Sequence, residues 1–176
     1  MAGEADRRGK LAAVGEELLA QLAGQIGSAE RMLELLVAQG RAIRSRDALA
    51  VVRTVGALQG ELARREELER ERQGLLERTA AIMGVPLGNL TLSAICAELP
   101  SALAERARRR AAELRGLVDK LQREHAVNRA LMGVELAFLD HLLSELHGAQ
   151  TAAYEQTGQP SRARQIEELH LLDMEA

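Results

Sequence analysis

Few side chains in this sequence are of a type that does chemistry, and their spacing decides which chemistry is open. The histidines are His125, His141, His147 and His170. Glu167 and His170 form a Glu-x-x-His pair, the unit that di-iron helical bundles use twice, with further glutamates from two other helices. Here the pair occurs once, near the C-terminal end, and no second copy stands on a long helix, so it does not complete a metal site. His141 and Glu145 are one helical turn apart, the spacing of a solvent-facing pair, and Asp140 points to another side of the helix. Cys96 is the sole cysteine, which excludes an intrachain disulfide and a cysteine-based zinc site. There is no Gly-x-Ser-x-Gly, no P-loop and no Gly-x-Gly-x-x-Gly. No catalytic residue, cofactor or metal ligand is assigned, and the chain reads as a non-enzyme.

Two polar features remain. Arg106, Arg108, Arg109, Arg110 and Arg115 form the one basic cluster, with Glu105 and Glu113 beside it. Without stacking aromatics or a known module it reads as a solvated helix face or a contact for an acidic protein, not a nucleic-acid site. Asn128 falls where a helix stripe should be apolar, between Leu121 and Leu131. It either fixes the register of packed helices at some cost in stability or lies at the stripe's edge.

The elements that would carry these residues follow from composition and period. The 176 residues are 47% hydrophobic and 28% charged, yet include one Tyr, one Phe and no Trp. That mixture excludes a disordered chain and argues against an all-β domain; it predicts one all-α domain with an aliphatic core. The formal net charge of −3 provides no global basic field for nucleic acid or an anionic membrane. No signal-peptide apolar region is present, and the longest uncharged run, 79–97, is broken by Gly84, Pro86, Gly88 and Asn89. A soluble, cytoplasmic protein without membrane insertion is expected.

Leu11, Val14, Leu18, Leu22, Ile26, Ala29, Leu33 and Leu36 recur at helical spacing and predict a first helix over about 9–39. Leu19, Met32 and Leu35 widen its stripe enough for two neighbours, and Gly40 followed by Arg41 and Arg44 reads as its end. A second helix is expected over 45–83, with Ser45 as N-cap, Asp47 in the first turn and Val51, Val55, Leu58 and Leu62 as its stripe. Its charged middle, 61–74, offers Glu61–Arg65 and Glu66–Arg70 pairs four residues apart. A short helix over 91–99, capped by Thr91 or Ser93, leads to a third long helix over 101–148 that starts at Ser101 and stops at Gly148. Phe138 falls on the stripe of that helix and reads as core. The scattered helical glycines serve close helix approach or nothing. Residues 1–158 thus form an elongated antiparallel bundle of three long helices. The stretch 159–176 is a linker and amphipathic tail, with Ile166, Leu169 and Leu172 on one face of a short helix.

Two stretches resemble the FlgN family of flagellar export chaperones. The first, LERERQGLLERTAAIMGVPLGNLTLSAICAELP at 68–100, has the family's glutamate-rich helix with an arginine (Arg72), paired leucines, a glycine-marked end and a Thr-Leu before a short helix. The second, NRALMGVELAFLDHLLSELHGAQTAAYEQTGQ at 128–159, has an Asn before a leucine stripe and a late Tyr-x-x-x-Gly, Tyr154 and Gly158. The new helix near Asp47-Ala48-Leu49 also fits, so the resemblance spans about 11–160. It implies a cytoplasmic chaperone that binds the C-terminal helical region of the hook–filament junction proteins FlgK and FlgL. The chaperone would keep them unassembled and deliver them to the type III export gate protein FlhA. It further implies Tyr154 as the gate-contact candidate, and it points to 161–176, with Ile166, Leu169 and Leu172, as the client-binding segment. Two other classes stay open: a coiled-coil or stalk protein, which would form a homo-oligomer without a client, and a type III secretion chaperone for another cargo.

Overall fold

The computed structural model describes the backbone of residues 2–156 and the side chains of residues 6–144. Every element is helical: α1 (Ala2–Arg44), α2 (Ala48–Met83), a 3-10 turn (Leu87–Asn89), α3 (Leu92–Glu98) and α4 (Ser101–Gln156). The chain divides into two compact units, Met1–Leu131 and Met132–Ala176. The expected boundary at 158/159 and the expected C-terminal helix lie outside the described residues.

In the first unit α2 returns antiparallel along α1: Glu17 meets Arg78, Gln21 meets Leu68, and Arg31 meets Glu61. The N-terminal part of α4 then runs parallel to α1, since Gly15 lies against Leu103 and Leu36 against Asn128. The widened stripe of α1 is used as expected, because this helix packs on both α2 and α4. Two buried clusters hold the unit together. One gathers Leu11, Val14, Leu18 and Leu19 of α1 with Leu75 of α2, Ile95 and Cys96 of α3, Leu99 just after it, and Ala104 and Ala107 of α4. The other joins Ala29 and Leu36 of α1 to Leu121 of α4, with Leu58 of α2 half-buried beside them. Between the clusters lies the charged stretch of α2, where Glu61 and Leu68 meet α1.

Several helix ends differ from expectation for identifiable reasons. Helix α1 passes through Gly40 to Arg44, because Gly40 is a close-approach position: a Cβ there would stand 2.5 Å from Asn128 Oδ1. Ser45 is not the cap of α2; its hydroxyl donates to the Ala42 carbonyl, and Asp47 is the N-cap, accepting from the Ala50 N–H at 2.9 Å. The turn between them puts Arg46 at φ 55, a left-handed conformation that costs a side-chain residue about 1 kcal/mol. Gly84, at φ 68, closes α2 without that cost. Thr91, not Ser93, caps α3 by accepting from Ala94 N–H. Ser101 is the first helical residue of α4, not its cap, and the Ala104 N–H donates to the Pro100 carbonyl.

Helix α4 also runs through Gly148 to Gln156. One glycine costs a helix about 1 kcal/mol, and Ala149, Gln150, Ala152 and Ala153 are good helix formers that offset it. Phe138 is not core: it belongs to the second unit and is 43% exposed. The described part of that unit is a single helix, which buries little of its own surface.

Candidate functional site

Asn128 is the buried polar residue that the stripe of α4 places against α1. It is 2% exposed, and its Nδ2 donates to the Leu36 carbonyl at 2.7 Å and to Gln39 Oε1 at 3.1 Å. A polar side chain with two fixed partners on a neighbouring helix sets one register and penalises others. Of the two readings open from sequence, the stripe-edge one does not hold, because Asn128 is buried between α1 and α4.

The charged stretch of α2 is laced differently from the expected pattern. Glu61 does not pair with Arg65; its carboxylate accepts from both Nε and a terminal nitrogen of Arg31 on α1, each at 3.0 Å. Arg70 pairs with Glu67 rather than Glu66, and Arg72 pairs with Glu69. Helical spacing selects local partners, but α1 lies close enough to supply a two-pronged one, which is the stronger geometry. The hydrogen bonds from Arg31 hold the Glu61 carboxyl below the usual carboxylate range. A depressed carboxyl stabilises the fold above that range and loses its contribution as pH falls through its lowered value. Glu61→Gln is therefore expected to cost about 1 kcal/mol at neutral pH and to flatten the acid limb of a urea-unfolding series.

The arginine cluster is met by acids, as expected of a solvated face. Arg106 lies 3.5 Å from Glu16, Arg109 lies 3.8 Å from Glu105, and Arg110 lies 3.0 Å from Glu113. Among the described residues no group of three or more His, Cys, Asp or Glu is arranged to hold a metal. Also among them, no helix is long and apolar enough to cross a membrane. The side chains of His147 and Glu145, and the whole of the Glu167–His170 pair, lie outside the described residues.

The feature that sequence reasoning missed is the apolar surface of α4 in the second unit. Met132 is 39% exposed, Leu139 51% and Leu142 41%; at 100° per residue they share one side of the helix. In the first unit, Leu121 of the same helix is buried, with Leu114 and Leu117 half-buried beside it. Leu136, 59% exposed, lies about 40° from Met132 around the helix and widens the exposed side. A contiguous apolar face of this kind marks an interaction surface. The signal was present as leucine periodicity, but period alone cannot separate a buried stripe from an open one. Tyr154 falls in the last turns of α4, and its side chain lies outside the described residues, as do Ile166, Leu169 and Leu172.

The described residues form helices around an aliphatic core, with an exposed apolar stripe on α4. The family model described as FlgN protein matches residues 14–162, and the chain belongs to the FlgN family. FlgN is a chaperone family of flagellar export, and that general role extends to this chain. Neither the curated proteins nor the solved structures gave a match.

Proposed function

We propose that the protein binds the C-terminal helical region of the hook-associated proteins FlgK and FlgL and prevents their premature assembly. In this reading it carries them through the cytoplasm to the type III export gate protein FlhA. The observation that carries the reading is the exposed apolar face of α4 at Met132, Leu139 and Leu142 on a member of a chaperone family. A client's amphipathic helix laid on this face would bury the surface it otherwise uses to polymerise. Ile166, Leu169 and Leu172 of the tail would add further apolar contact to the client. Tyr154, near the end of the same helix, would be left for the gate.

The test is titration of the full chain with a FlgK or FlgL C-terminal fragment, coupled to an export assay. Leu139→Glu with Leu142→Glu is expected to weaken client binding at least about tenfold, because two carboxylates would enter an apolar contact. Deleting 161–176 should weaken it as well. Tyr154→Ala should spare client binding and lower export. Undiminished affinity in both the double variant and the deletion would sink the reading. Self-association with no client affinity would point instead to a stalk protein.

A further inference from the structure

The first unit carries an open groove of about 570 Å³ between α1 and α4, well separated in sequence from the apolar face of the second unit. Its two walls have the same helical spacing and opposite character. From α1 come Glu16, Leu19, Ala20 and Ala23; from α4 come Arg106, Arg109, Arg110 and Glu113. Each set steps i, i+3, i+4, i+7, so each wall is one face of a helix about two turns long. Because the helices run parallel here, an apolar wall of small side chains lies alongside a basic wall over the same length. Glu16 and Glu113 stand at opposite ends.

We propose that this groove docks an acidic amphipathic helix of a partner protein, one whose apolar stripe is flanked by carboxylates on a single side. Ala20 and Ala23 project only methyl groups and are exposed, so a ligand backbone could lie close to α1 and bury its stripe there. The arginines have capacity to spare. Each guanidinium has five N–H donors, and the glutamates near Arg106 and Arg109 stand off at 3.5 and 3.8 Å. The side chains of Arg106, Arg109 and Arg110 are 53%, 70% and 50% exposed. A second carboxylate can therefore reach them without burying an unpaired charge. Glu16 and Glu113 repel acids at the groove ends, which places the ligand's carboxylates mid-groove against Arg109 and Arg110. Nucleic acid fits less well, since no aromatic side chain lines the groove and one wall is aliphatic.

The probe is a fluorescein-labelled synthetic helix of about five turns with a Leu/Ala stripe and Glu along one flank, titrated into the full-length protein by anisotropy. Its controls are the same helix with Lys for Glu and an oligothymidylate. The Glu helix should bind, more weakly as salt rises, and the Lys helix should not. Arg109→Glu with Arg110→Glu, and separately Ala23→Glu, should each weaken it at least about tenfold. Both variants should leave affinity for the FlgK or FlgL fragment unchanged, which separates this groove from the client-binding reading. Absence of binding by the Glu helix, equal binding by the Lys helix, displacement by the oligothymidylate, or unchanged affinity in both variants would overturn the proposal.

Discussion

Gly40→Ala should destabilise the protein by about 2 kcal/mol, although alanine is the better helix former by about 1 kcal/mol. The added methyl would stand 2.5 Å from Asn128 Oδ1, well inside van der Waals contact. Asn128 cannot swing aside cheaply, because it is 2% exposed and its Nδ2 is held by the Leu36 carbonyl and Gln39 Oε1. Either α1 and α4 separate, or the asparagine leaves its partners and becomes a buried amide without them, which costs about 1–3 kcal/mol. Asn128→Ala alone should also destabilise, by about 1–3 kcal/mol, through the lost hydrogen bonds and the cavity. The double variant distinguishes this account from a general intolerance of the site. With the asparagine gone, the alanine at 40 has room and its propensity gain returns. The double variant should then be more stable than the sum of the two losses predicts, by at least about 1 kcal/mol in urea unfolding. Strict additivity would show that the two residues do not meet in solution.

The same pair shows where sequence reading stops. The period of α1 was legible because Leu19, Met32 and Leu35 widen its stripe beyond what one neighbour needs, and the two-sided packing followed. Gly40 was not, since a glycine before basic residues reads equally as a helix end or as a close contact, and only Asn128 across the interface decides between them. Glu61 repeats the lesson for charge. Spacing along one helix proposes Arg65, while the partner actually used is Arg31, 30 residues away on another helix. For α4 the limit is different. Leu114, Leu117, Leu121, Leu139 and Leu142 follow one periodic rule, but the first three are packed against a neighbour and the last two are 51% and 41% exposed. Periodicity records which side of a helix is apolar, and the presence of a partner on that side is a tertiary fact.

The described side chains of α4 fall into a packed stretch in the first unit and an exposed one in the second. The register lock at Asn128 lies three residues before the end of the first unit, beside the point where buried stripe gives way to open stripe. With two fixed partners on α1, it resists sliding of α4 along α1 within the first unit. A slide of one heptad would put Glu135 at the position of Asn128, facing the carbonyl of Leu36 with an acceptor instead of a donor.

Ile95→Ala should be the most damaging single truncation in the first unit, at about 3 kcal/mol. Ile95 is 2% exposed and belongs to the larger cluster, where Ile95 and Cys96 of α3, with Leu99 just after it, fill the end of the helix pair. Helix α3 has only seven residues, too few to stand as a helix without tertiary packing. Its other ties are the Thr91 cap, the weak Cys96 thiol contact to the Ala104 carbonyl at 3.8 Å and the exposed Arg7–Glu98 pair at 3.2 Å, none of which replaces this packing. Removing the isoleucine therefore threatens the whole segment, and the neighbours Leu11, Val14 and Leu18 cannot collapse far without shifting α1. Hydrogen exchange should report the loss of protection first in 91–99 and then along 11–18, at temperatures where α2 and α4 are still protected. The exposed face at Met132, Leu139 and Leu142 belongs to the other unit, so client binding below the melting transition should stay near the wild-type value. The groove between Ala20 and Arg109 shares Leu19 with the damaged cluster, so binding of the acidic helix should weaken. A uniform loss of protection along the chain, with both binding activities falling together, would mean that the two units unfold as one and that α3 has no separate role in holding the first.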